Sequence, residues 1–322
     1  MRLTTPALPA QSCIFYDYRK QFIINNSGSD LTDYQVMFTV YRSTGTDSGT
    51  TVYVGTKCES DYDDIRFMDS SRNVLPYWIE SSSSSSAKIW VKFPSIPSGT
   101  STWYLYYGNP LAPSASDGDA TFLFFDDFND NSLNTSKWTV VSGGGSATVY
   151  EQNNRLEIYS DGTNRAYARS ATSFKAPYVL EFSAKKNANI ETACHWDGNI
   201  KGAYDMLNNG YYAPMFISWE TPPKLIIQKY SSGSGTTLQS YSSSLDSNWH
   251  SYSVRTSLSG LSVFLDGTPI LSTTDTTRTS GYIGFSARET PNAINAYYDN
   301  VRVRKWIDPE PTVTSWGAEQ AV

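Results

Sequence analysis

Apolar and polar residues alternate along this chain in short runs. FYDYRKQFIINN at residues 15–26 and LTDYQVMFTVYR at 31–42 carry apolar side chains at about every second position, on either side of the turn residues NNSGSD. A period of two puts one set of side chains on each face of a strand, so these runs predict a β-hairpin. A polar loop at 43–60 surrounds the short run VYV. DDIRFMDSS, VLPYWIES, AKIWVKFPS and STWYLYYGN then give four further strand-length segments between turn residues. The spacing predicts a small antiparallel β-sandwich over residues 14–117, preceded by an irregular arm at 1–13. The six-serine run at 81–86 reads as a solvated hairpin loop. PLAPSASDGDA at 110–120 reads as the linker, with the boundary near Asp117.

Beyond the linker, TFLFFDDFNDNSLNTSKWTV at 121–140 and YYDNVRVRK at 297–305 read as the first and last strands of a second unit, residues 118–322. Between them lie RLEIYS, YVLEFSAK, YAPMFISWE, KLIIQKY, WHSYSVRTS, LSVFLDG and GYIGFSAR, separated by Gly, Ser and Asn clusters. No stretch keeps a 3.6-residue apolar period for three turns, so the domain reads as all-β. That many strands suit a two-sheet jelly roll, which buries its inner faces and limits exposed edges.

Composition sharpens this picture. A length of 322 residues is enough for two domains, each with its own core. Aromatic residues make up 14% of the chain against 17% charged, which suits pleated surfaces. The net charge of −6 and the lack of a basic stripe argue against a nucleic-acid partner. No run of about 18 apolar residues is present to span a membrane. The beginning, MRLTTPALPAQSC, has no continuous apolar core and does not read as a secretory signal. Three cysteines, Cys13, Cys58 and Cys194, define no complete disulfide framework, although a Cys13–Cys58 bridge is open. Asn25 and Asn134 begin the sequons NNS and NTS.

YDYRKQFIINN, LTDYQV, DDIRFMDS, LPYWIES, AKIWVKFPSIPSGTSTWYLYYGNP and FFDDF together resemble the domain family of unknown function DUF2341, found on microbial and especially archaeal surface proteins. The resemblance covers about 110 residues and implies an extracellular β-sandwich without chemistry. The second unit is similar to the concanavalin-like jelly roll of laminin-G-type modules and of laminarinase-like glycoside hydrolases. The similarity rests on DDFNDNSLNTSKWTV, WHSYSV with LSVFLDG, GYIGF and YYDNVRV. Such a fold hosts binders, hydrolases and lyases alike. In related jelly rolls one Ca²⁺ clips the first strand to the last. The resemblance places its ligands on Asp127 and Asp299, with Asp126 as helper, and hard oxygen donors suit that ion.

A laminarinase-like enzyme needs two carboxylates about 5 Å apart on one strand face. The acidic residues of the central runs, Glu181, Glu191, Asp197, Asp205 and Glu220, are scattered, with no i, i+2 pair inside an apolar strand. Asp61–Asp64, DYDD, has the spacing but reads as a strand-entry loop. His250 reads as a strand start in the core. His195 lies between Cys194 and Trp196, yet neighbouring residues on a strand face opposite ways and rarely share a metal. Cys194 also lacks a base held in place by a third group, as a nucleophile would need.

Residues 196–219 have the content of a sugar-binding face: Trp196, Asp197, Tyr204, Asp205, Tyr211, Tyr212 and Trp219, with Asn199, Asn208 and Asn209. The competing reading has half of these aromatics filling the core. The sequence therefore leads to a non-enzymatic extracellular surface or adhesion protein with a lectin-like domain. Its partner would be a glycan or glycosylated cell surface, and it would act alone, as a homo-oligomer, or as a subunit of a cell-surface or virion assembly such as a viral fibre. The alternative is a polysaccharide hydrolase or lyase using Glu181, Glu191, His195 or Asp205.

Overall fold

A computed structural model describes residues 15–185, 189–202, 205–218, 220–243, 246–288 and 292–322. Cys13 and the arm at 1–13 lie outside these residues. The chain divides into two compact units, one taking the chain up to Thr121 together with Asp308–Val322, the other Phe122–Ile307. Both are built from β-strands, as the alternation predicts. The assignment of 118–322 to a single domain needs correction at its end, because Asp308–Val322 returns to the first unit. No helix among the described residues is long and apolar enough to cross a membrane.

The first unit stacks two sheets. One orders Thr312–Trp316, Tyr18–Asn26, Gly99–Tyr107 and Arg66–Met68, with Gln320–Ala321 also paired to Tyr18–Asn26. The other orders Thr51–Tyr53, Leu31–Tyr41, Ser86–Ile96 and Tyr77–Ser82. The expected hairpin at NNSGSD is a crossover instead, since Tyr18–Asn26 and Leu31–Tyr41 belong to different sheets. Period-two alternation fits a sandwich strand in either sheet, so it does not determine the pairing. Asn26 holds the crossover by donating to Ser29 O (2.7 Å) and Ile96 O (3.3 Å). The serine run does form a hairpin loop, with Ser83 N donating to Ser86 O at 2.8 Å. The core is aromatic: Phe22, Phe38, Phe67 and Phe93 are fully buried. Their rings meet at centroid distances of 4.9–6.3 Å.

The returning tail completes that core. Trp316 lies 4.8 Å from the Phe22 ring and donates its indole N–H to Gly49 O at 2.9 Å. Glu319 accepts from Tyr107 Oη at 2.6 Å and pairs with Lys57. No apolar run marks this segment, TVTSWGAEQA, as a strand partner.

The second unit is a two-sheet jelly roll. Its first sheet orders Thr148–Glu151, Leu156–Ser160, Ile294–Lys305, Tyr178–Lys185, Trp249–Ser257, Gly260–Leu265 and Thr268–Thr273. Its second orders Ser234–Ser242, Lys224–Ser231, Gly210–Ile217, Asn189–Trp196, Ser280–Arg288, Ala166–Ser170 and Trp138–Ser142. The first and last strands meet as the resemblance implies, Phe124–Asp126 pairing with Val301, Arg302 and Val303. The core between the sheets includes Trp138, Leu180, Phe182, Tyr211, Phe216, Ile283, Phe285 and Tyr298.

The central strand Asn189–Trp196 bulges between Ala193 and Trp196. His195 there has a φ of +47°, a left-handed conformation uncommon for non-glycine residues. Gly281 opposite has to be glycine, since a Cβ would stand 2.5 Å from the His195 carbonyl carbon. The imidazole is buried between Tyr178 and Tyr211 and donates from Nδ1 to Arg278 O at 2.9 Å. Burial lowers its pKa to about 4, against the partial restoring effect of the Arg278 carbonyl.

Two measurements check this fold. Trp316→Ala should cost the first unit about 2 kcal/mol through lost aromatic packing; calorimetry should show its transition several degrees lower, and an unmoved transition would mean that the tail does not dock. Because His195 protonates more readily in the unfolded chain, its stabilisation is full above about pH 6.5 and is lost as pH falls toward 4. His195→Asn, which can keep the hydrogen bond and tolerates a left-handed φ, should flatten the dependence of denaturant midpoint on pH over that window.

Candidate functional site

The outer face of the second sheet is built by strand alternation. On Lys224–Ser231, Leu225 and Ile227 enter the core, while Ile226 and Tyr230 turn outward. On Gly210–Ile217 the outward set is Tyr212, Met215 and Ile217. Strand register assembles these into rows. One row runs Tyr167, Ser286, Glu191, Met215, Ile226, and its neighbour runs Arg169, Gly284, Ala193, Tyr212, Gln228, Thr237.

Much of this face is covered. The strands Ile200–Lys201 and Met206–Leu207 pair with each other, and Met206 and Leu207 join Tyr167, Trp196 and Tyr212 in a second apolar cluster. Trp196 is fully buried, has its ring tilted against that of Tyr167 at a centroid distance of 5.1 Å and donates its indole N–H to Asn199 O at 2.7 Å. Its ring lies over Gly284, where a Cβ would stand 3.0 Å away. Beneath the cover, Arg165 and Glu191 form a buried ion pair at 3.6 Å. Burial raises the Glu191 pKa, an effect that Arg165 and Arg288 only partly offset.

Beside this cover opens a groove of about 440 Å³, lined by Met206, Met215, Gln228, Tyr230, Thr237 and Arg288, with Glu220 at its lip paired to Lys224 at 2.6 Å. Gln228 Oε1 lies in the wall without a hydrogen-bond partner. Gly235 makes room for Tyr230, since a Cβ there would stand 2.7 Å from the phenol ring.

The structure redistributes the expected sugar-binding residues. Trp196, Tyr211 and Tyr212 are fully buried and offer no ring face to solvent. Tyr211 belongs to the inner core, and Tyr212 shares its hydroxyl with that of Tyr167. Both sides of their strands are covered, so alternation leaves no exposed set. Asp197 organises a turn, accepting from Asn208 at 2.7 Å and Asn209 at 2.8 Å. Asp205 lies with its carboxylate over Gly143 and accepts through its carbonyl from Tyr167 Oη at 3.0 Å. Tyr204 and Trp219 lie outside the described residues. Sequence reading passed over Gln228 and Tyr230, although the alternation in KLIIQKY places both on one face.

The candidate catalytic groups do not converge. Glu181 is on the other sheet, bound by Arg302 Nε at 2.7 Å and Arg304 Nε at 3.3 Å. Burial alone would raise its pKa, but those guanidiniums hold it below the usual carboxylate range. His195 is enclosed in the strand bulge. His250 is at the surface rather than in the core, between Asp266 (2.7 Å) and Asp246 (3.0 Å). Cys194 and Cys58 are buried free thiols, and burial pushes each up to about 12. In DYDD, Asp64 accepts from the N–H groups of Glu59, Gly108 and Asn109, as a loop organiser should.

At the meeting of first and last strands, Asp126 is committed to the fold, accepting from the Trp138 indole at 2.7 Å and Phe128 N at 3.1 Å. Asp299 has its pKa raised to about 6 by burial and by the charges of Asp127 and Asp126. Asp299 Oδ1 accepts from Asn300 N at 2.7 Å, and carboxylates at a chain closure are the donor type that a hard cation takes. Among the described residues no group of three or more His, Cys, Asp or Glu side chains is arranged around a metal position, so backbone or water oxygens would complete the shell.

Residues 61–141 match the family model described as a domain of unknown function, DUF2341, a stretch that begins in the first unit and ends in the second. No curated protein matches the chain in sequence. Among solved structures, carbohydrate-binding module CBM66 from Bacillus subtilis is similar at 16% identity over 53% of this chain and 98% of its own, with a TM-score of 0.42. An endo-β-1,3-glucanase from Pyrococcus furiosus is similar at 15% identity over 58% and 95%, with a TM-score of 0.43. A glycoside hydrolase family 16 endo-glucanase from Bacteroides ovatus is similar at 16% over 56% and 99%, with a TM-score of 0.41. Likeness at this level transfers no chemistry. The chain carries a segment that matches the DUF2341 model, within an all-β architecture that includes a jelly roll.

Proposed function

We propose that this chain is a non-enzymatic extracellular surface or adhesion protein whose jelly roll binds a carbohydrate in the groove beside Gln228 and Tyr230. The observation that carries this reading is the groove itself. It combines an amide with an unused acceptor, a hydroxyl, a guanidinium and an apolar wall, which is the equipment for ordering sugar hydroxyls against a C–H face. A retaining glycosidase would need two carboxyl groups about 5 Å apart across that groove. Glu191 is instead buried against Arg165, and Glu181 is on the opposite sheet. The uncharged, exposed edge strand Ser234–Ser242 also suits a subunit of a larger surface assembly.

We also propose a structural Ca²⁺ at Asp127 and Asp299, clipping the entry strand to the closing strand. When bound, it would offset the charges of Asp127 and Asp126 that raise the Asp299 pKa.

Glycan-array binding tests the first proposal. Gln228→Ala should weaken binding about 10-fold, the usual consequence of one lost hydrogen bond to a bound ligand, and no reducing ends should be released. Released sugar would establish a hydrolase, and a blank array would leave an assembly role. For the ion, added calcium should raise the melting temperature of chelator-treated protein, and Asp299→Asn should shrink that rise. An equal rise in both proteins would place the ion elsewhere.

A further inference from the structure

One ion pair ties the first sheet of the first unit to the loop that enters the second. Lys20 lies two residues before Phe22 on Tyr18–Asn26, so alternation turns it toward the same inner face as Phe22 and Ile24, both fully buried. Its Nζ donates to Asp47 Oδ2 at 2.7 Å and to Tyr53 O at 2.7 Å. Asp47 belongs to the loop between Leu31–Tyr41 and Thr51–Tyr53, and its other oxygen accepts from Tyr53 N at 2.8 Å. The backbone of one residue, Tyr53, therefore holds both the amine and the carboxyl group.

That loop is itself pinned. Ser48 and Thr51 exchange backbone hydrogen bonds at 3.0 and 2.9 Å. Gly45 lies against the Tyr53 ring, where a Cβ would stand 2.4 Å from it, and the same ring stacks on Tyr41 at a centroid distance of 5.0 Å. The Lys20 and Asp47 side chains are each 12% exposed, against 33% and 43% for the surface pair Lys224 and Glu220. An enclosed ion pair gains little net stability, because desolvation offsets the attraction. An amide in its place would leave no charge to be kept from water. Holding the two groups in fixed contact also replaces a chance encounter, and well-oriented groups of this kind react as if at an effective concentration of about 10⁵ M or more. A cavity of about 260 Å³, lined by Lys20, Gly45, Tyr53, Lys57 and Glu319 among others, opens beside the pair and gives a released water its way out.

We propose that Lys20 and Asp47 condense to an intramolecular isopeptide bond, which cross-links the strand Tyr18–Asn26 to the loop 42–50. The ammonium proton passes to Asp47 Oδ2 across their hydrogen bond. The freed amine attacks Asp47 Cγ and forms the C–N bond. The Cγ–Oδ2 bond then breaks, and Oδ2 leaves as water with the proton it took and one more from the nitrogen. No oxidant, reductant or further reactant is consumed. The proposal rests on this pair alone and is independent of the glycan reading and of the ion at Asp127 and Asp299.

Intact-mass spectrometry of the denatured full chain tests it. Wild type should be one water lighter than its sequence, and Lys20→Arg and Asp47→Ala should each have the full mass of theirs. A tryptic map of wild type should contain one branched peptide that joins Lys20 to Asp47 and is uncut after Lys20, so the assignment does not depend on how either variant folds. Wild type at its full sequence mass would overturn the proposal and leave a plain ion pair. So would a water loss that persists in Lys20→Arg, as that of a succinimide would.

Discussion

Antiparallel pairing between segments remote in sequence is the constraint on which both units depend. In the second unit, Phe124–Asp126 lies along Val301–Val303, and Asp126 ties that entry strand to Trp138 through its indole N–H. In the first, Tyr18–Asn26 pairs with Thr312–Trp316 and Gln320–Ala321. Closing loops of this length carries an entropic cost that grows only slowly with the number of residues. Strong local contacts at the closure, aromatic rings in one unit and a buried indole–carboxylate bond in the other, can therefore hold it. One consequence is that the first unit is discontinuous, with the whole jelly roll placed between its two pieces. Another is that acidic side chains collect where the jelly roll closes.

The covered outer face of the second sheet decides what that sheet can do. Two-sided burial puts Trp196, Tyr167 and Tyr212 under the strands Ile200–Lys201 and Met206–Leu207, together with the Arg165–Glu191 pair. A buried ion pair gains little net stability, because desolvation offsets the attraction. Its effect is to withdraw Glu191 from any role as a free acid and to leave the groove beside the cover to Gln228, Thr237 and Arg288, with the Tyr230 ring buried in its wall.

Period-two alternation by itself determined the all-β class and most strands of the second unit. It could do so because alternation is a local property of the backbone. It did not determine which sheet a strand joins, as at NNSGSD, because an alternating strand fits either sheet of a sandwich. Nor did it show that TVTSWGAEQA would return to the first unit, where the attraction is one Trp316 ring on a distant Phe22. The polar strand around Cys194 and His195 was illegible for a related reason: a bulge breaks its alternation. Only the tertiary structure decided that Trp196, Tyr211 and Tyr212 are interior while Gln228 and Tyr230 border the groove. A strand's sequence names its two faces, but what covers each face comes from elsewhere in the chain.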